Sequence, residues 1–320
     1  MKIEHKFVDS NGIKIHVAEA GTGPLVLLCH GFPESWYSWR HQIKALSEAG
    51  YRVVAPDMRG YGQTDRPEPI DQYSLFHLVG DVVGLVNALS DKKAVVIGHD
   101  WGAPVAWHCA LFRPGRFHAV AGLSVPFRPR GPAAPTSVMP QTDSEVFYQL
   151  YFQAEGVAEK EFEQDIGRTI RLVLAGRTSK DAPPMNPMVP RQGGWHSSRP
   201  LPSSLPNWIT EADIDFYVGE FKRTGFRGGL NWYRNIDRNW ELLAPWSGAK
   251  VTVPALYIAG EQDLVVKFPG AEQLIANLGQ FVPKLRRTIM LPDCGHWTQQ
   301  EKPHEINSAL ITFLNGLDLQ

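Results

Sequence analysis

The chain has 320 residues, 43% of them hydrophobic and 20% charged, with a formal net charge of -1. That balance describes a globular protein with an ample core and leaves no electrostatic footing for nucleic acid or another polyanion. Three cysteines, Cys29, Cys109 and Cys294, are an odd number in a chain that needs no covalent staple, so they read as reduced and buried and imply a cytoplasmic protein. The opening Met1 to Lys6 lacks an apolar signal core, no apolar run exceeds strand length, and Asp318-Leu319-Gln320 matches no retention or peroxisomal address, so a soluble, unprocessed chain without membrane insertion is expected. Oligomeric state is not legible.

In chain order, Lys6 to Ala20 alternates about Ser10-Asn11-Gly12, which predicts an antiparallel hairpin, because Asn-Gly tolerates the positive φ of a tight turn. The runs Leu25 to Cys29, Val53 to Ala55, Ala94 to Ile97, Ala119 to Val125 and Ala255 to Ala259 are nearly all aliphatic, as expected for parallel strands covered on both faces. Helical patterns lie between them, notably Ser74 to Leu89, with Ser74 as its expected cap, and a last helix covers His304 to Leu317. The alternation predicts an α/β doubly wound, mostly parallel sheet. It stops at Pro126 and resumes at Val251. The helical, aromatic segment between, with a Pro/Gly-rich stretch from Asp181 to Pro206 expected to hold no regular structure, reads as an inserted lid. The expected division is 1–127 with 247–320 as the core and 128–246 as a helical cap.

Chemistry concentrates at three loops. Gly98-His99-Asp100-Trp101-Gly102 joins the strand ending at Ile97 to a helix from Ala103 towards Phe112. This resembles the nucleophile elbow of the α/β-hydrolase fold, with aspartate where serine is usual; the glycines let strand and helix pass closely. An isolated G-x-D-x-G is also compatible with a simple helix cap at Asp100. His30-Gly31-Phe32-Pro33 follows the preceding strand in the place from which this fold donates an oxyanion-hole N–H, so the backbones of Phe32 and Trp101 are the expected donors. A cis bond before Pro33 is compatible with this loop. Asp293-Cys294-Gly295-His296-Trp297 follows the strand-like Arg287 to Leu291 and offers His296 as a base at the sheet's carboxyl edge. A carboxylate should orient that imidazole. In Gly260-Glu261-Gln262-Asp263 the choice is Asp263, with Glu261 as the competitor. Among the other histidines, His5, His16, His77, His108 and His196 read as surface or core filling, and His30 and His99 as residues that fix loops. No phosphate loop, dinucleotide fingerprint or zinc-spaced histidine pair occurs, so no cofactor and no metal is expected.

Together, His30-Gly31-Phe32-Pro33-Glu34-Ser35-Trp36, Asp57-Met58-Arg59-Gly60-Tyr61-Gly62, His99-Asp100-Trp101-Gly102 and Cys294-Gly295-His296-Trp297 resemble the soluble epoxide hydrolases, both the hydrolase domain of the mammalian enzyme and the plant enzymes. The resemblance extends over nearly the whole chain. It departs at Ala103, where the family often has glycine, and is least transferable from Asp181 to Arg199; the mammalian enzyme has a phosphatase domain ahead of its hydrolase domain, and no phosphatase activity is expected of this sequence, which opens on the hydrolase hairpin. Within the lid, Phe147-Tyr148-Gln149-Leu150-Tyr151-Phe152-Gln153 and Gly229-Leu230-Asn231-Trp232-Tyr233-Arg234-Asn235 match the two family segments that carry acid tyrosines. The resemblance therefore implies Tyr148 and Tyr233 as donors to the oxygen leaving an epoxide, a role a phenol suits because it can stabilise or protonate an alkoxide. Read by themselves, both residues are equally compatible with aromatic packing.

The expected mechanism makes Asp100 the nucleophile, His296 with Asp263 the base that activates water against the resulting ester, and Glu34 a residue that positions this water or adjusts charge around His296. A small-molecule epoxide is the expected partner and a vicinal diol the product. Two other readings share the framework. A haloalkane or haloacid dehalogenase also uses an aspartate elbow, but Phe32 offers no side-chain donor to a halide, and Trp101 cannot serve where the haloacid enzymes carry an arginine for the substrate carboxylate. A noncatalytic receptor would need only the pocket.

Overall fold

A computed structural model describes residues 2–90, 92–176, 186–197 and 199–319. The chain forms two compact units, one of residues 1–65, 76–129 and 248–320, the other of 66–75 and 130–247. The short segment Arg66 to Leu75, which reads in sequence as part of the core, belongs with the second unit.

In the first unit β1 (Glu4–Ser10) and β2 (Ile13–Ala20) pair antiparallel across Asn11 and Gly12, whose φ angles are 50° and 79°. Then follow β3 (Leu25–Cys29), β4 (Arg52–Pro56), β5 (Ala94–His99) and β6 (Phe117–Leu123). In the second unit β7 (Glu145–Phe147) and β8 (Met188–Pro190) make a small antiparallel ladder. Back in the first, β9 (Ala255–Gly260) and β10 (Leu285–Leu291) complete the main sheet. Its order is β1-β2-β4-β3-β5-β6-β9-β10, parallel from β4 onward. Every residue of β3, β5 and β9 is buried, which explains their unbroken aliphatic composition: both faces are covered. The helix α1 (Arg40–Glu48) sits between β3 and β4 in sequence, α2 (Leu75–Leu89) between β4 and β5, and α3 (Gly102–Phe112) after β5. Along α2, Leu78, Val79, Val82, Leu85 and Val86 are all buried, the spacing of one helical face.

The chain passes from β3 outward to β4, then back across to β5. The loops after β3 and β5 therefore diverge from adjacent carboxyl ends, the crevice in which open α/β sheets bind ligands.

Two expectations shift. Strand β6 ends at Leu123 rather than Val125 because Ser124 takes a left-handed φ of 68°. Strand β9 begins at Ala255, where its aliphatic run starts; Pro254 lies before it, and proline has no N–H for a ladder. The stretch Asp181 to Pro206 does hold regular structure in part. Residues 181–185 lie outside the described residues, but Met188–Pro190 pairs with Glu145–Phe147 and Gly194–Ser197 forms one helical turn, so long-range pairing overrides local composition. Among the described residues no helix is long and apolar enough to cross a membrane.

The second unit is held by helices Val157–Gln164, Ile166–Leu174, Glu211–Thr224, Arg227–Arg234 and Ile236–Leu242. The Thr210 hydroxyl accepts from the Asp213 N–H while the Asp213 carboxylate accepts from the Thr210 N–H, a capping box that starts the third of these. At its centre Phe162 meets Phe152, Trp195 and Phe226 edge-on at 5.3–5.7 Å.

Candidate active site

Asp100 occupies the turn between β5 and α3 with a φ of 49°, a region that asparagine and aspartate tolerate better than other side chains and that marks a strained position. The glycines around it are sterically required. A Cβ on Gly98 would run into the backbone of Gly102, one on Gly102 into the carbonyl of Cys29, and one on Gly31 into the Asp100 carboxylate itself. Ala103 fits in the position where its N–H donates to the Asp100 carbonyl at 3.0 Å, and it is fully buried.

The two carboxylate oxygens of Asp100 have different neighbours. Oδ1 accepts from the Phe32 N–H at 2.8 Å. Oδ2 lies 3.3 Å from His296 Nε2. Burial pushes this carboxyl up, but the hydrogen bond and charge of His296, the charge of His99 and the Phe32 N–H outweigh it, so Asp100 is held below the ordinary aspartate range. The bond before Pro33 is cis. Trp101, directly after Asp100, is the N-cap of α3.

His296 Nδ1 is 2.9 Å from Asp263 Oδ1, and Asp263 is fully buried. That bond requires the proton on Nδ1 and leaves Nε2 facing Asp100. Glu261, the competing carboxylate, is exposed. The loop carrying His296 is clasped on both sides by Glu301, whose carboxylate accepts from the N–H groups of Gly295 at 2.6 Å and Trp297 at 2.8 Å.

Glu34 is buried beside the elbow and its carboxylate is fully engaged. Oε2 accepts from the Gly31 N–H at 2.8 Å and lies 2.9 Å from His99 Nδ1; Oε1 accepts from Gln299 Nε2 at 3.0 Å. His99 Nε2 in turn lies 2.7 Å from the His296 carbonyl. Burial raises the Glu34 carboxyl, the charge and hydrogen bond of His99 lower it, and the net direction is down. His30 ties its own loop to the next, accepting from the Met58 N–H at 2.9 Å through Nε2 with Nδ1 2.9 Å from the Gly31 carbonyl. His16, read as filling, is instead bonded through Nδ1 to Asp57 Oδ2 at 2.7 Å. Asp57 also accepts from the N–H groups of Trp36 and Gln63, each at 3.1 Å. Its motif therefore locks loops together.

In the second unit Tyr148 and Tyr233 lie edge to face with ring centroids 6.0 Å apart. Phe152 packs on both, at 5.5 Å and 5.0 Å. The Tyr148 hydroxyl accepts from Gln149 Nε2 at 2.9 Å, and Gln153 Nε2 donates to the carbonyls of Gln149 and Tyr233 at 2.8 Å and 3.0 Å. Arg234, next to Tyr233, joins the two segments: it donates to the Phe152 and Ala154 carbonyls and to both oxygens of Glu159, at 2.7–3.1 Å. The neighbouring Tyr151 is committed elsewhere, donating to Glu161 at 2.5 Å.

Sequence reasoning passed over Ser124, Gln299, Glu301 and Arg234, and gave His99 no partner. Ser124 carried one usable signal, a hydroxyl residue near the end of an aliphatic strand at the sheet's carboxyl edge. The others act through side-chain carboxylates distant in the chain for Gln299, Arg234 and His99, and through backbone N–H groups for Glu301, which no local pattern announces.

Strand order and the aspartate elbow define a hydrolase of the doubly wound class, and the model of the alpha/beta hydrolase fold matches residues 24–303. Epoxide hydrolase 3 of Siraitia grosvenorii is 46% identical over 318 residues, covering 98% of this chain and 99% of that one. Epoxide hydrolase A of Mycobacterium tuberculosis is 45% identical over 320 residues, covering 98% of each. The crystal structure of epoxide hydrolase A from Mycobacterium thermoresistibile superposes with a TM-score of 0.93 at 46% identity, covering 100% of both chains. The chain belongs to the α/β-hydrolase family and, within it, to the soluble epoxide hydrolases.

Proposed function

We propose that this chain converts epoxides to vicinal diols through a covalent ester on Asp100. The observation that carries the reading is the division of labour at the Asp100 carboxylate: Oδ1 is bonded to a backbone N–H and Oδ2 faces the imidazole. Held below the ordinary aspartate range, the carboxylate is an anion at neutral pH and needs no base for its own attack. Oδ2 attacks one epoxide carbon and the C–O bond breaks. Tyr148 and Tyr233 supply the phenol donors that stabilise and protonate the departing oxygen, a role their pairing within one aromatic cluster supports. This reading makes the second unit a cap.

His296, oriented by Asp263, then takes a proton from water, which attacks the ester carbonyl. Charge developing on Oδ1 is received by the N–H of Phe32, already bonded to that oxygen, and by that of Trp101. Collapse expels Oδ2 with the substrate carbon, the proton held by His296 passes to that oxygen, and the diol leaves. Of the roles open to Glu34, its bonds favour support: it fixes the Gly31–Phe32 backbone and, through His99, the carbonyl of His296.

A single turnover in oxygen-18 water, with enzyme in excess, tests the route. The first diol should be unlabelled, because its new oxygen comes from Asp100, and the peptide 98–102 should gain one heavy oxygen at Asp100. A labelled first diol with an unlabelled peptide would mean direct attack by water and would remove the nucleophile. Turnover of styrene oxide but not of a chloroalkane separates this reading from a dehalogenase.

A further inference from the structure

Ser124 has no part in that scheme, yet it touches two of its members. It follows β6 at the sheet's carboxyl edge and is fully buried. Its Oγ–H donates to Asp263 Oδ2 at 2.6 Å, and the same Oγ lies 3.1 Å from His296 Nδ1. The other Asp263 oxygen, Oδ1, accepts from His296 Nδ1 at 2.9 Å and from the Val265 N–H at 3.0 Å. Hydroxyl, carboxylate and imidazole therefore close a ring in which each proton has a fixed direction.

The backbone of Ser124 is held in an unusual state to allow this. Its φ of 68° is left-handed, a region costly for a side chain with a Cβ. It is fastened on both sides: the Ser124 N–H donates to the Ile258 carbonyl at 2.8 Å, and the Ser124 carbonyl accepts from the Tyr257 hydroxyl at 2.7 Å. A glycine would adopt this conformation without penalty. The side chain present is thus the one that reaches Asp263, at a position where the backbone alone would favour having none.

We infer that Ser124 is a positioning residue for ester hydrolysis, fixing the Asp263 carboxylate so that His296 keeps its proton on Nδ1 and its lone pair on Nε2. The inference rests on the ester mechanism proposed above and extends it to a group that touches no substrate. Donating to Oδ2 stops the carboxylate from rotating away from the imidazole and supplies one hydrogen bond to a buried charge. Ring opening does not use this relay, so only the second half-reaction should depend on the hydroxyl.

The test is single-turnover kinetics by intact-protein mass, which reads ester formation and ester decay separately, on Ser124→Ala, Ser124→Gly and His296→Gln. Both Ser124 variants should form the ester within about twofold of the parent rate and lose it roughly 10- to 100-fold more slowly, the size expected for a lost hydrogen bond to a charged group. Glycine separates hydroxyl from backbone, since it relieves the left-handed strain while lacking the donor; should the alanine variant fail to fold, the glycine variant carries the test. In an Asp263→Asn background the Ser124→Gly change should have no further effect on decay. Decay at the parent rate in the glycine variant, equal slowing of both half-reactions, or an undiminished effect in the Asp263→Asn background would each overturn the role of Ser124. His296→Gln distinguishes the deeper failure: if it forms no ester, the mechanism beneath the inference is wrong, whereas a trapped ester there with normal decay in the Ser124 variants removes Ser124 alone.

Discussion

The two units position the side chains of the proposed site by different means. In the first, Asp100, Ser124, Asp263 and His296 each follow a parallel strand, β5, β6, β9 and β10 respectively. The sheet's hydrogen-bonded register sets their spacing, and buried polar bonds set their orientation. Among its described residues the second unit has as its only sheet the two-stranded β7-β8 ladder. Tyr148 and Tyr233 come from separate helices, and they meet because Phe152 packs against both and Arg234 bonds the two segments together. A strand end is a rigid mount, and damage there should be chemical. A helix packed through aromatic rings is mounted by its neighbours, and damage to them should reach the chemistry indirectly.

The largest expected effect lies on the sheet side. His296→Gln should leave alkylation of Asp100 and nearly abolish diol release, a loss of about four orders of magnitude or more. Intact mass should show the protein heavier by one substrate molecule. An unmodified, inactive variant would place histidine in ring opening and erase the separation of half-reactions.

Tyr148→Phe or Tyr233→Phe should slow ester formation, by roughly one to three orders of magnitude each if the phenols act as oxyanion donors, and the double change should nearly stop it. Rapid-quench measurement of the alkyl-enzyme would read this. Full activity of a folded double variant would reduce the pair to packing and leave the catalytic groups to the sheet.

Arg234→Met sharpens the contrast in a different quantity. It strands the buried carboxylate of Glu159, and removing one partner of a buried pair costs about 3–5 kcal/mol. The thermal midpoint should fall by several degrees, with ester formation slowed and ester decay unchanged in the protein that remains folded. Loss of decay instead would show that the two mounts are not independent.

The smallest effect concerns acid. Glu34, Asp57 and Asp100 are all held below their ordinary ranges in the fold, so each contributes stability that is present above its unfolded pKa, near 4, and lost as pH falls through that value towards the folded one. Burial shifts Asp81 and Glu301 the other way, which blunts the slope. Denaturant midpoints between about pH 6 and pH 3 should therefore decline on the acid side, and less steeply in Glu34→Gln than in the parent. An identical slope would show that Glu34 does not change its proton affinity on folding.

Much of this was written in the order of residues. Aliphatic runs gave away the parallel strands because a strand buried on both faces has no polar side to show, and Asn11-Gly12 marked its turn because few residues accept positive φ. The elbow was legible for a steric reason, since Gly98, Gly102 and Gly31 stand where any Cβ would collide. Asp263 over Glu261 was a choice on chain order, and burial against exposure separates them. What only the tertiary structure decided is the set of bonds between residues distant in the chain. Glu34 meets His99 and Gln299, Ser124 meets Asp263, and Arg234 meets Glu159. Local sequence cannot announce such pairs, because a carboxylate, a hydroxyl or a guanidinium carries the same pattern on a solvated surface as at a buried junction; only the folded chain removes water from them and so makes each partner necessary.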